Sequence, residues 1–340
     1  MSRGYSLKEG IVVELQATGS CSLVLPSVRQ RLLIGPGVLS LLCEVARQNA
    51  NGRAAIAEDL GEGTEAAVLL TNLVSLGVLV QDGGATDDHS LGDGLTLLER
   101  ATLRMAQGGG LYHPRLPSGR QSQPRVRTMA SAGPPVLLPE PEMRANVNLW
   151  EIIRARRSRR NGPPRTVSSA SLSALLSNSL RIQRVAEDNF GEISFRPVAS
   201  GGARHPIEAF VSVIRVSDVA EGVYQYDPLA HRLSPLSVSR GTAEALTTLA
   251  LGAMIQQPEI LPALTLLFAA VTARTACKYD DSSLVTVMKD VGCLIQQLYL
   301  VVEGLTLCGC AIGGADAPVV EEILGLTGTD VTFVGGFVIW

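Results

Sequence analysis

Residues 261–279, LPALTLLFAAVTARTACKY, decide the fold of this chain. The run Leu261–Ala273 is almost wholly apolar, which predicts a buried strand. We expect that strand to deliver Lys278 and Tyr279 into the interior or a cleft, where desolvation disfavours the charged form of a lysine. A partly neutral lysine can act as a general base, and an adjacent tyrosine can donate a proton. The alternative is an ordinary strand end, at which Lys278 reaches water and Tyr279 packs.

The composition excludes several classes of protein. A chain of 340 residues is long enough for about two domains. The net charge of -3 gives no electrostatic argument for nucleic acid or a membrane surface, and 4% aromatic residues argue against base-stacking platforms. Met1–Gly10 does not resemble a signal peptide. The six cysteines are scattered without C-x-x-C pairs, which predicts reduced thiols, a cytoplasmic location and no metal site.

Residues 1–82 are predicted to form a winged-helix-like module. The pattern indicates strands at Gly10–Leu15, Cys21–Leu25, Arg31–Ile34 and Leu76–Val80, and helices at Val38–Ala46 and Thr64–Leu76. The second of these helices contains no lysine or arginine. Because a recognition helix needs cations to meet phosphates, peptide or protein docking is favoured over DNA binding.

Residues 83–146 are interpreted as a partly flexible linker that contains one helix, Thr96–Ala106. Its second half is rich in serine, proline and arginine. The segment Arg120–Arg127 carries three arginines, and either a solvated arm or an arm that grips a neighbouring subunit fits this pattern.

Residues 147–340 are predicted to form a second domain of mixed helices and strands. The predicted helices are Leu149–Arg157, Ser168–Leu180, Thr242–Ala253, Ser283–Leu307 and Val319–Leu324, and the predicted strands beyond the opening run are Ile207–Val216, Gly222–Pro228 and Val331–Ile339. Polar residues interrupt Ser283–Leu307 too often for a membrane span, so we expect this helix in the core or at a dimer interface. His231 follows a turn and is expected at the surface.

Two further stretches of this domain suggest a ligand. Five arginines fall within the seven residues 154–160, which indicates a phosphate site, with a merely solvated basic face as the alternative. In 199–206, ASGGARHP, small residues and adjacent glycines let backbone amides approach a ligand closely.

Five segments in this order resemble one family: RRSRR at 156–160, ASGGARHP at 199–206, GVYQYDP at 222–228, KY at 278–279 and IGGAD at 312–316. The second domain is similar to the SagB/McbC-type FMN-dependent azoline dehydrogenases of the nitroreductase superfamily. The resemblance implies a three-layer α+β fold that binds FMN in a homodimer, preceded by the winged-helix-like peptide-recognition domain. It also implies oxidation of thiazoline or oxazoline rings to thiazole or oxazole in a ribosomally synthesised precursor peptide.

The resemblance assigns roles to individual residues. Lys278 would remove the acidic ring hydrogen, with Tyr279 orienting it or sharing the proton, while the adjacent ring carbon gives a hydride to FMN. The implied FMN-binding residues are Arg156, Arg157, Ser158, Arg160, Ser200, Gly201, Gly202, Arg204, Ile312, Gly313 and Gly314. Arg274, also counted among the FMN-binding residues, or the arginine cluster is expected to supply charge for the phosphate, because the chain ends at Trp340 without the basic tail of many nitroreductases.

Partners and alternatives follow from the same resemblance. The expected partners are a precursor peptide, a cyclodehydratase and a second copy of this chain, without nucleic acid or membrane. One alternative is a flavin oxidoreductase that acts on another peptide modification or on a small quinone or nitro compound. A second alternative is a non-catalytic scaffold that recruits the cyclodehydratase.

Overall fold

A computed structural model provides the fold. The structure describes residues 4–7, 12–15, 21–25, 30–34, 36–50, 55–56, 73–74, 78–81, 124–127, 129–141, 148–252, 254, 258–279 and 282–340. The chain divides into two compact units, Met1–His113 and Pro114–Trp340.

The first unit contains two small antiparallel sheets and one described long helix. Strands β1 (Gly4–Leu7), β5 (Ala55–Ile56) and β6 (Leu79–Gln81) form one sheet in the order β5-β1-β6. Strands β2 (Val12–Leu15), β3 (Cys21–Leu25) and β4 (Gln30–Ile34) form a meander. Helix α1 (Pro36–Ala50) is longer than the predicted Val38–Ala46 and buries Leu42 and Val45. The predicted helices Thr64–Leu76 and Thr96–Ala106 lie almost wholly outside the described residues, so the winged-helix interpretation stays a prediction.

The second unit is built on a seven-stranded sheet in the order β14-β15-β13-β10-β11-β12-β7. Every described pairing in it is antiparallel. Its strands are β7 (Val136–Leu137), β10 (Ile207–Val213), β11 (Gly222–Asp227), β12 (Arg232–Pro235), β13 (Leu264–Val271), β14 (Gly309–Ile312) and β15 (Val331–Ile339). A separate hairpin is formed by β8 (Arg184–Asp188) and β9 (Gly191–Phe195).

The helices of this unit cover both faces of the sheet. They are α2 (Leu149–Ala155), α3 (Ser169–Ser177), α4 (Thr242–Gly252), α5 (Ala273–Tyr279), α6 (Ser283–Gly304) and α7 (Ala317–Ile323). One face packs against apolar residues of α3 and α6, and the other packs against α4 and α7. This confirms the predicted α+β fold in three layers.

Strand β13 explains why the core has this form. All eight of its residues are buried, and alternate side chains enter opposite layers. Leu266 and Phe268 pack with α6, whereas Leu267 and Ala269 pack with α4. A central strand covered on both faces reads as a continuous apolar run, which is the pattern of the sequence.

The segment before α2, predicted as linker, contributes to this unit where it is described. Val136–Leu137 pairs with β12 and forms the edge strand β7. The described arginines of the arm, Arg125 and Arg127, bind the same chain through Glu192 and Asp330.

Helix α6 packs one stripe of side chains on the sheet. Val287, Val291, Leu294, Leu298 and Val302 are buried at spacings of three and four residues. Among the described residues it is the one helix long and apolar enough, by length and composition, to cross a membrane, and about a third of its apolar stretch is buried. A core helix of a globular domain can have the same length and composition.

Candidate functional site

Lys278 and Tyr279 lie in the last turn of α5, not at the end of a strand. The predicted strand Leu261–Ala273 was too long, because β13 ends at Val271. The carbonyl oxygen of Thr272 then accepts the first helical hydrogen bonds, from the amides of residues 275 and 276. The short helix places both predicted catalytic side chains beside the segment 200–204.

The predicted glycine segment adopts a short 3-10 turn, Gly201–Ala203. Asp290 of α6 holds this turn: one carboxylate oxygen accepts from Ser200 Oγ at 2.6 Å and the other from the Gly201 amide at 2.9 Å. Ser200 Oγ in turn accepts from the His205 amide at 2.9 Å. Burial raises the pKa of Asp290, while the hydrogen bonds from Ser200 and Gly201 oppose that shift.

Gly202 brings the turn into contact with the predicted catalytic pair. Its φ of 60° lies in the left-handed region. A Cβ atom at this position would lie 2.9 Å from the Tyr279 hydroxyl and 3.1 Å from Lys278 Nζ. Glycine therefore suits both the backbone of the turn and its close approach to the two side chains.

Arg204 is buried and directed away from the turn, towards the β8–β9 hairpin. Its guanidinium pairs with Asp188 and donates to the carbonyl oxygens of Phe190 and Glu192. Lys278 Nζ lies 3.5 Å from the other oxygen of the Asp188 carboxylate. Burial alone would raise the pKa of Asp188, but hydrogen bonds from Arg204 and the Phe190 amide, with the charges of Arg204 and Lys278, lower it overall.

Sequence reasoning missed this hairpin and hence Asp188 and Phe190. The Phe190 ring lies 5.6 Å from Lys278 Nζ and 5.8 Å from the guanidinium carbon of Arg204. The sequence offered one signal for a hairpin here, two short segments of possible strand, 184–188 and 191–195, on either side of a turn. Those segments carry charges in place of a clear apolar alternation.

The arginine cluster forms a second group of predicted residues, organised by Tyr299 of α6. The Tyr299 hydroxyl accepts a hydrogen bond from Ser158 Oγ at 2.9 Å, and the Arg156 guanidinium carbon lies 5.1 Å from the centre of its ring. Arg159 pairs with Glu303 of α6 at 2.7 Å. Arg157 is exposed and donates to carbonyl oxygens of its own turn.

The glycine turn after β14 joins this second group. The amide of Ala311 donates to the same Tyr299 hydroxyl at 2.9 Å. Ile312 is buried, whereas a Cβ atom at Gly313 or Gly314 would meet nothing within 4 Å. An open groove of ≈530 Å³ lies between this turn and α4, lined by Thr248, Leu249, Gly252, Gly314, Ala315 and Asp316.

The two groups lie at different places along α6. Asp290 holds the first and Tyr299 holds the second, nine residues apart, which is about 13 Å along a helix axis and about half a turn around it. The structure therefore brings the predicted site residues together as two clusters on opposite sides of one helix.

Arg274 belongs to neither cluster. It is buried, pairs with the equally buried Glu208, and donates to the carbonyl oxygens of His205 at 3.3 Å and Pro124 at 2.6 Å. Glu208 also accepts from the amide of Arg127 at 3.1 Å. The guanidinium of Arg274 is thus engaged with protein acceptors that fasten the segment before β7.

Two histidines, His205 and His231, are buried inside the protein and are not exposed as a catalytic acid or base would be. Burial and the charge of Arg196 lower the pKa of His205 to about 3. The expectation that His231 is at the surface was wrong. Its ring is held between Ser173 Oγ at 2.9 Å and the Tyr226 hydroxyl at 2.8 Å, beneath the segment that forms β7.

Comparisons with known proteins agree with this architecture. The profile of the nitroreductase family matches residues 153–338, more than half of the chain. This chain belongs to the nitroreductase family. A Methanocaldococcus jannaschii protein that carries the name nitroreductase MJ1384 is 33% identical over 133 residues, which cover 39% of this chain and 65% of that relative.

Two solved structures are similar to this nitroreductase-family chain at lower identity. A nitroreductase of Ralstonia eutropha has a TM-score of 0.47 at 19% identity and covers 63% of this chain and 95% of its own. The Escherichia coli microcin synthetase McbBCD complex with truncated pro-MccB17 bound has a chain with a TM-score of 0.45 at 21% identity, which covers 63% of this chain and 84% of its own.

The observed geometry fits a flavin, the cofactor typical of this family. Exposed guanidinium groups of the arginine cluster can meet a phosphate. The backbone at Gly313 and Gly314 is open to close approach. The groove beside them has a volume in the range of small-molecule and cofactor sites.

Proposed function

We propose that this nitroreductase-family chain is an FMN-dependent azoline dehydrogenase. It would oxidise thiazoline or oxazoline rings of a ribosomally synthesised precursor peptide to the aromatic azoles. The observation that carries the proposal is the close approach of Gly202 to Lys278 and Tyr279, where an added Cβ atom would lie 3.1 Å from Lys278 Nζ and 2.9 Å from the Tyr279 hydroxyl. This approach joins a proton-transfer pair to the segment expected to lie along the cofactor.

The chain's own residues would hold the cofactor in two ways. Arg156, Arg157, Ser158 and Arg160 would bind the FMN phosphate and ribityl chain. Tyr299 contacts Arg156 and Ser158 of this segment, and Glu303 pairs with the neighbouring Arg159. The turn at residues 200–202 and the glycines 313–314 would let backbone groups approach the cofactor. When bound, FMN supplies the two-electron oxidant.

Lys278 would act as the base. Its side chain is about one-fifth exposed, so it is shielded yet within reach of a substrate entering the cleft. The amine would take the acidic hydrogen from the ring carbon next to the carbonyl. Tyr279, its sequence neighbour in α5, would orient the amine or share the proton.

We also propose a homodimer. Large apolar side chains are exposed on α2 and on the outer face of α6: Leu149 (55%), Trp150 (69%), Ile153 (46%), Leu284 (51%) and Met288 (46%). Monomers seldom expose so many large apolar groups on adjoining helices. A second copy would cover them, and the position of the two clusters on opposite sides of α6 favours a site that draws on both copies.

The precursor peptide and a cyclodehydratase are the proposed partners, with peptide docking by the first unit. The decisive experiment incubates the purified chain with FMN and a partner-cyclised peptide and measures the peptide mass. We expect a loss of two hydrogens per oxidised ring. Lys278→Ala should abolish this loss while it retains the flavin spectrum, and Lys289→Ala, an exposed lysine on α6, is the matched control.

Three outcomes would contradict the proposal. Protein that stays colourless and does not bind added FMN would exclude a flavoenzyme. Turnover of quinones or nitro compounds without any azole formation would favour the small-substrate alternative. Full azole formation by Lys278→Ala would remove the assigned base.

A further inference from the structure

The carboxylate of Asp188 lies between two cations, each facing a different oxygen. Arg204 Nη2 contacts Oδ1, and Lys278 Nζ lies 3.5 Å from Oδ2. Arg204 is almost completely buried, with 1% of its side chain exposed, whereas Lys278 is 21% exposed. The buried cation therefore fixes the carboxylate, and the more accessible one is partly open to solvent.

The hairpin holds this carboxylate independently of Lys278. The amide of Phe190 donates to Asp188 Oδ1 at 2.8 Å, which forms an Asx turn at the hairpin tip. Arg204 donates to the carbonyl oxygens of Phe190 and Glu192, at 3.3 and 3.2 Å. These bonds remain when Lys278 moves or changes its charge, so the position of Asp188 is set in advance.

We infer that Asp188 is a positioning residue for Lys278: it holds the amine against Gly202 and stabilises the ammonium that forms when the amine takes a proton. The inference rests on the proposed function, in which Lys278 is the base. In that step the bond between the ring carbon and its hydrogen breaks, an N–H bond forms at Nζ, and the electron pair stays in the ring. The C–H bond of the adjacent ring carbon breaks as well, and its hydrogen leaves with both electrons as a hydride to the flavin oxidant, while the pair left on the first carbon forms the new ring double bond. A carboxylate already in place beside the new cation lowers the cost of the charge that develops.

The other groups that face Lys278 in the described residues do not replace Asp188. Arg204 is a cation and opposes a second positive charge. Burial raises the pKa of the Cys277 thiol, so Cys277 is neutral at neutral pH. The rings of Phe190 and Tyr279 lie 5.6 and 6.0 Å from Nζ and supply a weaker attraction.

The test measures the reactivity of Lys278 directly and does not require a peptide substrate. The FMN-loaded full chain is labelled with acetic anhydride over a range of pH, and the rate at Lys278 is read by peptide mass spectrometry. Removal of the negative charge in Asp188→Asn favours the neutral, reactive amine, and we expect roughly tenfold faster labelling on the acidic side of the profile. Asp188→Glu keeps the charge and should stay close to wild type.

Two further variants complete the design. Glu192→Gln removes another carboxylate of the same hairpin, one that pairs with Arg125, and should leave the labelling profile unchanged. Asp188→Ser is a second uncharged variant, to be used if Asp188→Asn does not fold. Its hydroxyl can still accept a hydrogen bond from the Phe190 amide. Identical profiles for the uncharged variants and wild type would overturn the inference.

A second readout separates this inference from the proposed function. With a cyclised peptide, the uncharged variants should lower kcat roughly tenfold or more and move the acidic limb of the kcat/KM profile to lower pH. If Asp188 only maintained the structure, the uncharged variants would lower the maximal kcat without shifting the pH dependence of labelling or of kcat/KM. If labelling shifts as expected but the wild type forms no azole, the proposed function fails while the coupling of Asp188 to Lys278 stands.

Discussion

Replacement of Arg274 by methionine tests whether this arginine stabilises the fold or binds the cofactor. Arg274 and Glu208 are each 3% exposed and form a buried ion pair. Removal of one partner of such a pair leaves an uncompensated buried charge and typically costs about 3–5 kcal/mol. The variant also leaves the carbonyl oxygens of His205 and Pro124 without this donor.

Two features of the structure place the expected cost of Arg274→Met at the lower end of that range. The positive charge of Arg196 interacts with Glu208 and partly compensates for the loss. The amide of Arg127 also continues to donate to Glu208. We therefore expect a loss of about 3 kcal/mol in the free energy of unfolding.

The assay combines urea unfolding, followed by far-UV circular dichroism, with FMN titration of the folded protein. The matched variant is Arg274→Met/Glu208→Gln, which removes both charges at similar volume. We expect it to regain at least about 1 kcal/mol relative to the single variant, because the pair interacts directly. A single variant that loses less than about 1 kcal/mol of stability but binds FMN more than about tenfold more weakly would refute this reasoning. Arg274 would then be the phosphate-binding residue that the sequence suggested.

Three further variants test how α6 and the glycine turn hold the site. Gly202→Ala forces a Cβ against the Tyr279 hydroxyl at a left-handed φ, so we expect a cost of about 1–2 kcal/mol in thermal unfolding and a larger fractional loss of turnover. Tyr299→Phe removes a hydroxyl that accepts hydrogen bonds from Ser158 and from the Ala311 amide. This loss should weaken FMN binding about fivefold, or about 1 kcal/mol, in a fluorescence titration. Burial raises the pKa of Asp290 in the folded protein above the value of about 4 in the unfolded chain. The contribution of this residue to the free energy of unfolding is therefore lost as pH rises through the folded-state pKa. Asp290→Asn should flatten this dependence in urea unfolding at several pH values, whereas an unchanged slope would exclude Asp290 as its source.

The sequence predicted well those elements whose side chains have one clear environment. Strand β15 has the predicted bounds, Val331–Ile339, because β-branched and aromatic residues dominate it and the turn-forming segment 327–330 precedes it. Helix α6 was predicted within three residues of its observed end, since its buried residues repeat at helical spacing. In both cases local pattern and tertiary environment agree.

The errors arise where a distant segment supplies the environment. His231 follows a turn and looks exposed in sequence, but the residues around β7, more than ninety positions earlier, cover it. The hairpin that carries Asp188 is short and rich in charged residues, and the partners of Asp188, Arg204 and Lys278, come from two later segments that the local pattern does not reveal. An apolar run alone also cannot distinguish the end of β13 from the start of α5, since small and apolar residues suit both.

The composition of α6 has a specific explanation in the site. A helix that packs on a core sheet needs one apolar stripe, and Val287, Val291 and Leu294 provide it. Yet Asp290 is buried in the same helix, where an unpaired carboxylate would be costly. It is tolerated because Ser200 and the Gly201 amide satisfy both of its oxygens.

Tyr299 and Glu303 repeat this arrangement two to four turns further along the helix. Tyr299 binds Ser158 and the amide of Ala311, and Glu303 binds Arg159. Asp290, Tyr299 and Glu303, three of the polar residues that interrupt the apolar pattern of α6, therefore hold segments predicted to bind the cofactor. Because a rigid helix fixes the spacing of these anchors, an insertion of one residue between Asp290 and Tyr299 would turn one anchor by about 100° relative to the other. The same insertion turns the buried Leu298 and Val302 relative to Val287, so we expect it to lower the stability of the domain as well as FMN affinity, and urea unfolding must accompany the FMN titration. Retention of wild-type FMN affinity by the folded variant would show that the two clusters act independently.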